Sequence, residues 1–347
     1  MKSPRRFPAE WEPQEATWIN WPTALSESFE FGIGPTRHAF LELLQTILKF
    51  EKAYVNIFEQ CEIEWLNERL SDEEKSRTTF FDIEVREPYL RDSGPVFILE
   101  SGKRLAVKFG FNAWGERYPP YDIDNASGTA MAQAIDVKLD MRDEIFEGGG
   151  LESNGAGTVL VSEDCFFARN RRMPKEEGTK RLKEALGAEL IHWIPGAVIL
   201  GDDTDGHVDV TTRFANEDTL LVARCQNPKS RNWQVLEDNW AHLQSLEKLD
   251  GGKYNLVALP MPEPIIHPRR GLDLPASYAN FHIANGGVIV PVFDQPTDDL
   301  ACQIIAENYP DREIVPINAE EIVMAQGGVH CLTNPVPQEA VTETKTD

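Results

Sequence analysis

The sequence has no long apolar run. A helix that crosses a membrane needs about 18 or more consecutive apolar residues, and no segment of the 347 residues approaches that length. The N-terminal residues MKSPRRFPAEWEP contain basic side chains, but no apolar segment follows them as it would in a signal peptide. We therefore expect a cytoplasmic protein without a membrane partner.

Cysteine is scarce as well. The five cysteines are widely separated, and none forms a C-x-x-C pair. This distribution excludes a disulfide framework and a structural zinc site. Most of the five are expected to be ordinary buried thiols, although one could act as a nucleophile if catalytic partners surround it. They are Cys61, Cys165, Cys225, Cys302 and Cys331.

Basic residues are outnumbered by acidic residues. The chain has 34 Lys and Arg against 57 Asp and Glu, which gives a net charge of -23 and an isoelectric point near 4.7. Such a surface repels the phosphates of nucleic acids and anionic lipids, so we expect no nucleic-acid partner. The charge agrees with a small cationic substrate, and equally with an acidic surface that only keeps the protein in solution.

Helical and strand-like segments alternate along the chain. Helical periodicity is clearest in 36–50, where the apolar residues share one face. Weaker helical patterns occupy 61–70, 125–136, 175–187, 229–248 and 297–308. Between them lie runs rich in β-branched and aromatic residues, at 17–21, 53–58, 78–85, 104–111, 158–163, 219–225, 254–261, 287–293 and 313–317. The pattern predicts a mixed α/β protein.

Strand pairs followed by one helix recur, which suggests a pseudo-repeat. Asn154-Gly155 lies between two strand-like runs and is typical of a hairpin turn. Hairpins mixed with single helices argue against a purely parallel sheet. No linker or change of composition divides the chain. We expect one catalytic domain over residues 1–335 and a disordered tail over 336–347.

The segment GDDTDGHVDVTTRF, 201–214, concentrates ionisable residues. It is not a calcium loop, because Gly201 and Thr212 would occupy positions that need Asp and Glu. VDVTTRF is β-branched and predicts a strand, from which His207 and Asp209 would project on the same face. The pair could supply a general acid/base and a ligand for a cation.

The other acidic residues of that segment have a simpler explanation. Asp202, Asp203 and Asp205 lie among turn-forming residues. Short acidic side chains in such turns commonly accept hydrogen bonds from backbone amides. We expect these three to cap a solvated turn, whereas for the pair His207 and Asp209 a solvated turn and a site are equally compatible with the sequence.

Two further carboxylates lie beside turns. Asp92 in EPYLRDSGPVF either caps a turn or stands at the end of a strand, facing a cleft. Glu147 in IFEGGGLESNGAG follows apolar residues, so it is expected to be buried with a partner such as His. The three glycines after it lack the Lys-Ser/Thr of a phosphate loop, and they fit a close backbone approach or a tight hairpin.

Cys331 follows two glycines in AQGGVHCLTNP. His330 is its neighbour, but on a strand the two side chains would point to opposite faces, so His330 is not expected to be the base. A single Cys in an apolar strand is usually part of the core. In FNAWGERY, Trp114 is a core residue or the wall of a pocket.

Together these residues offer a thiol, a histidine and several carboxylates. A Cys-His-carboxylate set is typical of nucleophilic catalysis in which His transfers protons. Carboxylates beyond the one that orients the His favour a cationic substrate. Guanidinium fits best, because its planar fork binds carboxylates through two parallel hydrogen bonds.

Seven motifs carry a family resemblance from residue 8 to about 335. They are PAEWEPQEATWINWP, YLRDSGPVF, FNAWGERY, FEGGGLESNGAGT, TDGHVDVTTRF, YANFHIANGGVIVP and GGVHCLTNP. In this order they resemble the agmatine deiminase and bacterial peptidylarginine deiminase family of the guanidine-modifying (pentein) superfamily. The resemblance implies a five-bladed α/β propeller of pseudo-fivefold ββαβ-type repeats, with the active site where the blades meet.

The resemblance also implies roles for residues. Cys331 would be the nucleophile, His207 the acid/base, and Glu147 the residue that orients His207. Asp92 and Asp209 would grip the guanidinium group. The implied mechanism passes through an S-alkylthiouronium intermediate and needs no metal or organic cofactor.

Agmatine, converted to N-carbamoylputrescine in putrescine biosynthesis, is the first substrate that the resemblance implies. Arginine side chains of peptides are the alternative, and a transferase that uses an amine in place of water stays open. From a different class, the chain could be a non-catalytic pentein that binds a partner. A homo-oligomer is compatible with all of these.

Overall fold

The computed structural model describes residues 4–26, 28–29 and 32–340. Its strands are β1 Arg5–Arg6, β2 Gln14–Asn20, β3 Lys52–Asn56, β4 Thr78–Phe81, β5 Val96–Glu100, β6 Lys103–Gly110, β7 Lys138–Ile145, β8 Leu151–Ser153, β9 Thr158–Ser162, β10 Leu190–Ile194, β11 Thr212–Asn216, β12 Thr219–Arg224, β13 Asn255–Pro260, β14 His282–Ala284, β15 Gly287–Val292, β16 Glu313–Asn318 and β17 Thr333–Pro337. Its helices are α1 Ile33–Phe50, α2 Gln60–Asn67, α3 Asp72–Arg77, α4 Leu90–Ser93, α5 Ala113–Glu116, α6 Asp122–Ala134, α7 Glu163–Arg169, α8 Lys175–Leu186, α9 Trp233–Ser245, α10 Asp298–Asn308 and α11 Glu320–Val323. Short 3-10 turns occupy Gly148–Gly150, Val208–Val210 and His330–Leu332.

The strands of the described residues form five sheets that repeat one order. In each sheet a first strand pairs antiparallel with a second, and the second pairs parallel with a third. The sets are β5-β6-β7, β8-β9-β10, β11-β12-β13, β14-β15-β16 and β17-β2-β3. At least one helix connects the second strand to the third, because a parallel pair needs a crossover. The predicted mixed α/β class is confirmed.

The fifth sheet joins the two ends of the chain. β17 pairs antiparallel with β2, so that Thr333 lies opposite Ile19 and Asn334 opposite Trp18. β17 includes Val336 and Pro337, which lie beyond the predicted domain end at 335. Residues 341–347 of the predicted tail lie outside the described residues.

The clearest predicted helix is present with the expected buried face. In α1 the side chains of Phe40, Leu43, Leu44, Ile47 and Leu48 are all buried. They belong to the largest hydrophobic core, which also includes residues of β15 and α10. None of the helices within the described residues has the length and apolar composition that crossing a membrane requires.

Two predicted strands are replaced by turns. Val208–Val210 is a 3-10 turn, and β11 begins only at Thr212, so the prediction of a strand through His207 and Asp209 is wrong. The backbone there bonds locally and to a side chain: Val208 N donates to Ser162 Oγ at 2.8 Å. Cys331 likewise lies in a 3-10 turn and not in a strand. β-branched composition favours strands, but these tertiary bonds override that preference.

A turn or short helix precedes the first strand of each sheet. α4 precedes β5, and the three 3-10 turns precede β8, β11 and β17. Asn280 lies in the turn before β14. α4 contacts the turns Gly148–Gly150 and His330–Leu332, and Gly148–Gly150 contacts Val208–Val210. The repeated topology therefore brings equivalent turns from different sheets to one place.

Candidate active site

Three of the predicted site residues meet around Gly149. A Cβ atom at this position would lie 2.5 Å from His207 Nδ1, 2.9 Å from Asp92 Oδ1 and 3.0 Å from Asp209 Oδ2. A side chain would displace all three, so glycine is required for this close approach. His207 and Asp209, from the turn at Val208–Val210, and Asp92, from α4, thus come together at Gly149.

His207 lies between two carboxylates. Its side chain is 1 % exposed, with Nδ1 3.7 Å from Asp92 Oδ1 and Nε2 3.7 Å from Glu147 Oε2. Burial alone would lower the pKa of His207, but Asp92, Cys165 and Glu147 outweigh it and raise that pKa well above the ordinary value. The cationic form of the imidazole, which can donate a proton, is therefore favoured more than in an ordinary histidine.

Glu147 is buried and held by two donors. Arg169 Nε donates to Oε1 at 2.8 Å, and the Cys165 thiol donates to Oε2 at 3.0 Å. Burial raises the pKa of Glu147, but His207 and Arg169 lower it further than burial raises it. Burial, followed by the charge of Glu147, raises the pKa of Cys165 to about 12, so this thiol keeps its proton. Glu147 is thus a fixed, ionised partner for His207.

Asp92 is fixed by one side chain and one backbone amide. Trp114 Nε1 donates to Oδ2 at 2.9 Å, and Gly149 N donates to Oδ1 at 2.9 Å. Burial raises the pKa of Asp92; His207 lowers it and Asp209 raises it, and the net shift is upward. Each oxygen of Asp92 keeps a lone pair with which it can accept a further hydrogen bond.

Asp209 is a third buried carboxylate near His207. Its Oδ2 lies 2.7 Å from His330 Nδ1, while no residue in the described part of the chain hydrogen-bonds to its buried Oδ1. Burial raises the pKa of Asp209, but His330 and His207 lower it below the ordinary value. Asp209 therefore offers an ionised acceptor that a bound cation can satisfy.

Cys331 lines a cavity of about 140 Å³ together with Asp92, Trp114, Tyr89 and Asp203. Its sulfur lies 3.4 Å from Asn280 Oδ1. Burial, followed by the charges of Asp209 and Asp92, raises the pKa of the Cys331 thiol far above its ordinary value. The protonated form of the thiol is therefore favoured at neutral pH.

Trp114 reaches Asp92 from an unusual backbone. All four residues of α5 have positive φ: Ala113 49°, Trp114 55°, Gly115 85° and Glu116 64°. Left-handed backbone costs roughly 1–2 kcal/mol for each non-glycine residue, so local preference does not form this turn. Such strain persists where tertiary contacts impose it, often at functional sites. Trp114 is thus a wall of the cavity, one of the two alternatives from the sequence.

A buried network behind the site was not predicted. Glu10 Oε1 lies 2.8 Å from His330 Nε2 and 2.8 Å from Arg91 Nη1, and Glu10 Oε2 lies 2.7 Å from Arg213 Nη2. Arg213 also binds Glu152 at 2.9 Å. Both ring nitrogens of His330 therefore face carboxylates, which leaves His330 unavailable as a base. The only signal in the sequence was the position of these residues within the seven motifs.

The acidic turn residues differ from one another. Asp202 caps backbone amides as predicted, because it accepts from Thr204 N at 2.8 Å and Gly206 N at 2.9 Å. The same prediction is wrong for Asp203 and Asp205. Asp203 accepts from Tyr118 Oη at 2.5 Å and lines the cavity. Asp205 binds two arginines, which sequence spacing alone could not indicate.

One group of side chains resembles a metal site by residue type. The ligand atoms of Glu147, Cys165 and His207 lie within 4.8 Å of one another. Such donors suit zinc. Arg169, however, already places a guanidinium 2.8 Å from Glu147, and its positive charge opposes a second cation at the same carboxylate. These three side chains are therefore better suited to stabilising protonated His207 than to binding a metal ion.

Comparisons with known proteins agree on one group of relatives. The model of the Porphyromonas-type peptidyl-arginine deiminase family matches residues 6–337. An agmatine deiminase from Pseudomonas aeruginosa is 30 % identical over 96 % of each chain. The solved agmatine deiminase of Enterococcus faecalis has a TM-score of 0.90 and 26 % identity, covering 98 % of this chain and 99 % of that one. A solved agmatine deiminase of C. jejuni has a TM-score of 0.84 and 26 % identity, covering 96 % of each chain.

Proposed function

Because the chain belongs to the Porphyromonas-type peptidyl-arginine deiminase family, we propose that it hydrolyses agmatine to N-carbamoylputrescine and ammonia, a step of putrescine biosynthesis. The observation that carries the proposal is the small cavity that Cys331 and Asp92 line together. A cavity of this size fits a small cation. The similarity to agmatine deiminases over nearly the whole chain supports the same substrate.

Asp92 and Asp209 bind the guanidinium group. Both are buried; Asp92 lines the cavity, and the buried Oδ1 of Asp209 has no hydrogen-bond partner among the described residues. Guanidinium presents its N–H groups in a planar fork, so it can bridge two carboxylates through charge-assisted hydrogen bonds. Binding satisfies the unpaired Asp209 Oδ1 and neutralises the carboxylate charges that, after burial, raise the pKa of the Cys331 thiol. Nucleophile activation is therefore coupled to binding of a cation.

The first chemical step is attack by Cys331. Once the cation is bound, the thiol releases its proton to solvent. The thiolate then forms a bond to the guanidinium carbon, and the carbon–nitrogen bond to the departing ammonia breaks. His207, held protonated beside Asp92 and Glu147, gives its proton to that nitrogen. The product of this step is an S-alkylthiouronium intermediate on Cys331.

The second step is hydrolysis of that intermediate. His207, now neutral, takes a proton from water, and the water oxygen attacks the same carbon. As the carbon–sulfur bond breaks, the proton that remains on the attacking oxygen passes to the sulfur, which releases the ureido product and restores the Cys331 thiol. Glu147 orients His207 in both steps, because Arg169 and Cys165 fix its own position. No step requires a metal or an organic cofactor.

The rest of the cavity contains acidic groups that suit the ammonium end of agmatine. Glu87 and Asp203 line it together with Cys331, and carboxylates suit the primary ammonium of agmatine. Arg86 and Arg270 line it as well, which makes free arginine, with its carboxylate, a necessary competitor in any test. A peptide substrate requires room for a chain on both sides of the arginine.

The first experiment compares three substrates. Purified protein is incubated with agmatine, free arginine and a blocked arginine peptide, and ammonia and ureido product are measured. We expect turnover of agmatine that Cys331→Ala abolishes. Turnover of the peptide alone would instead support the peptidylarginine deiminase alternative. A folded protein inactive on all three would contradict the proposal and favour a transferase or a non-catalytic pentein that binds a partner.

The five sheets are proposed to be the blades of a five-bladed propeller. Two observations support this: the sheets repeat one strand order, and the sheet β17-β2-β3 combines both chain ends, as ring closure requires. We further propose that residues 1–335 act as a single catalytic domain. The cytoplasmic location and a homo-oligomeric assembly stay predictions.

A further inference from the structure

Arg169 and Asp205 are charged side chains next to the site that the proposed reaction does not use directly. The Arg169 side chain is 1 % exposed. Its Nε donates to Glu147 Oε1 at 2.8 Å, and its Nη1 donates to Asp205 Oδ2 at 2.6 Å. Asp205 therefore helps to hold the Arg169 side chain in the position from which it binds Glu147.

Asp205 also binds a second arginine. Arg117 Nη2 donates to Oδ1 at 2.6 Å, and Arg117 Nη1 donates to Oδ2 at 2.9 Å. The same Nη1 donates to the carbonyl oxygen of Trp114 at 2.8 Å. The indole of Trp114 in turn donates to Asp92. Through these bonds Asp205 is connected to Glu147, the partner of His207. It is also connected to Asp92, which is proposed to bind the substrate.

The backbone conformation around Trp114 depends on contacts with residues outside α5. α5 is left-handed throughout, and its local hydrogen bonds include one from Gly115 N to the Asn112 side chain at 2.9 Å. Arg117 binds the Trp114 carbonyl within this turn, and Asp205 anchors Arg117 through both of its carboxylate oxygens. Loss of the anchor is expected to let the indole move away from Asp92.

We propose that Asp205 is a positioning residue that links the two halves of the active site. Through Arg169 it holds Glu147 against His207, and through Arg117 it holds Trp114 against Asp92. The inference rests on the proposed hydrolysis of a guanidinium group. Asp205 does not line the cavity, so it acts on the reaction only through these neighbours.

A double-mutant cycle tests the link. Asp205→Asn keeps the shape of the side chain and removes its charge, and it is combined with Trp114→Phe. We expect Asp205→Asn to lower kcat/KM for agmatine about tenfold or more, a size typical of coupled neighbours, with a rise in KM and a fall in kcat. In the Trp114→Phe background the rise in KM disappears, because the path to Asp92 is already broken, whereas the fall in kcat through Arg169 persists. Equal effects on KM in both backgrounds would overturn the proposal.

Glu237→Gln is the matched control. Arg224 and Glu237 form a bidentate pair whose side chains are 38 % and 25 % exposed, against 38 % and 29 % for Arg117 and Asp205. We expect Glu237→Gln to keep wild-type kinetics. An equal loss of kcat/KM in this variant would overturn the positioning role.

Two further measurements keep the outcome decisive. If Asp205→Asn does not fold, Arg117→Gln breaks only the Trp114 path, and we expect it to raise KM with little change in kcat; unchanged KM would contradict the proposal.

If wild-type protein does not turn over agmatine, the proposed function fails, and alkylation of Cys331 by iodoacetamide tests Asp205 separately. A displaced Asp92 should make alkylation severalfold faster in Asp205→Asn, and an unchanged rate would overturn the link.

Discussion

The hydrogen bond from Trp114 to Asp92 provides a direct test of how the guanidinium group is bound. Trp114→Phe removes the indole N–H, which donates to Asp92 Oδ2 at 2.9 Å, and keeps an aromatic ring against Tyr89 and Phe111. Asp92 then keeps one donor, the backbone amide of Gly149. The buried carboxylate loses part of its orientation and part of its stabilisation as an anion.

The size of the effect follows from the kind of bond. A hydrogen bond to a buried charged group contributes about 1.5–3 kcal/mol. Since about 1.36 kcal/mol corresponds to a factor of ten, we expect Trp114→Phe to lower kcat/KM for agmatine about 10- to 150-fold. Initial rates of ammonia release over a range of agmatine concentrations measure this value.

Trp21→Phe is the control for loss of a buried indole donor. Trp21 Nε1 donates to Glu62 Oε2 at 3.0 Å, and neither residue lines the cavity. We expect this variant to lose stability but to keep kcat/KM. If Trp114→Phe stays folded and turns over agmatine at the wild-type rate, the reasoning that Asp92 needs the indole to bind substrate is refuted.

Three further predictions follow from the buried charges. His207→Ala should lower kcat by about 10²–10⁴-fold or more with an unchanged circular dichroism spectrum, and near-normal turnover would remove His207 from the mechanism. Because burial, Asp209 and Asp92 raise the pKa of the Cys331 thiol, its thiolate fraction is small at neutral pH and grows as pH rises. Iodoacetamide should therefore inactivate the protein slowly at pH 7 and faster at higher pH, and Asp92→Asn should react faster than wild type at any one pH; equal rates would contradict this. Arg213→Met should reduce the free energy of unfolding by about 3–5 kcal/mol in urea titration, because the buried Glu152 loses its arginine partner; a loss within experimental error would show that the network is not needed for stability.

Local patterns in the sequence predicted most of the regular structure. The buried face of α1 follows from apolar residues spaced at helical intervals. Asn154-Gly155 marks the turn between β8 and β9, which pair antiparallel. These features depend on residues that are close together in the chain, so they can be predicted from a single sequence.

The local conformation of the site residues was not predictable in the same way. His207, Asp209 and Cys331 lie in or beside 3-10 turns, although their neighbours favour strands. Bonds from distant segments hold these turns, such as the one from Cys331 N to Asn280 Oδ1 at 3.3 Å. Side-chain type pointed to the chemistry, and the resemblance pointed to the roles, but neither indicated the backbone.

By itself, the sequence determined the α/β class, the repeated strand–strand–helix pattern and the candidate residues His207, Asp92, Asp209, Glu147 and Cys331. These conclusions came from periodicity, residue type and motifs, which are local properties.

Only the tertiary structure decided which groups surround them. Glu10 meets His330 across 320 positions of the chain, and Asp205 joins Arg169 to Arg117. No local pattern encodes such contacts, because they arise when turns from five sheets meet, and the cost of burying a charge then selects partners from distant parts of the chain.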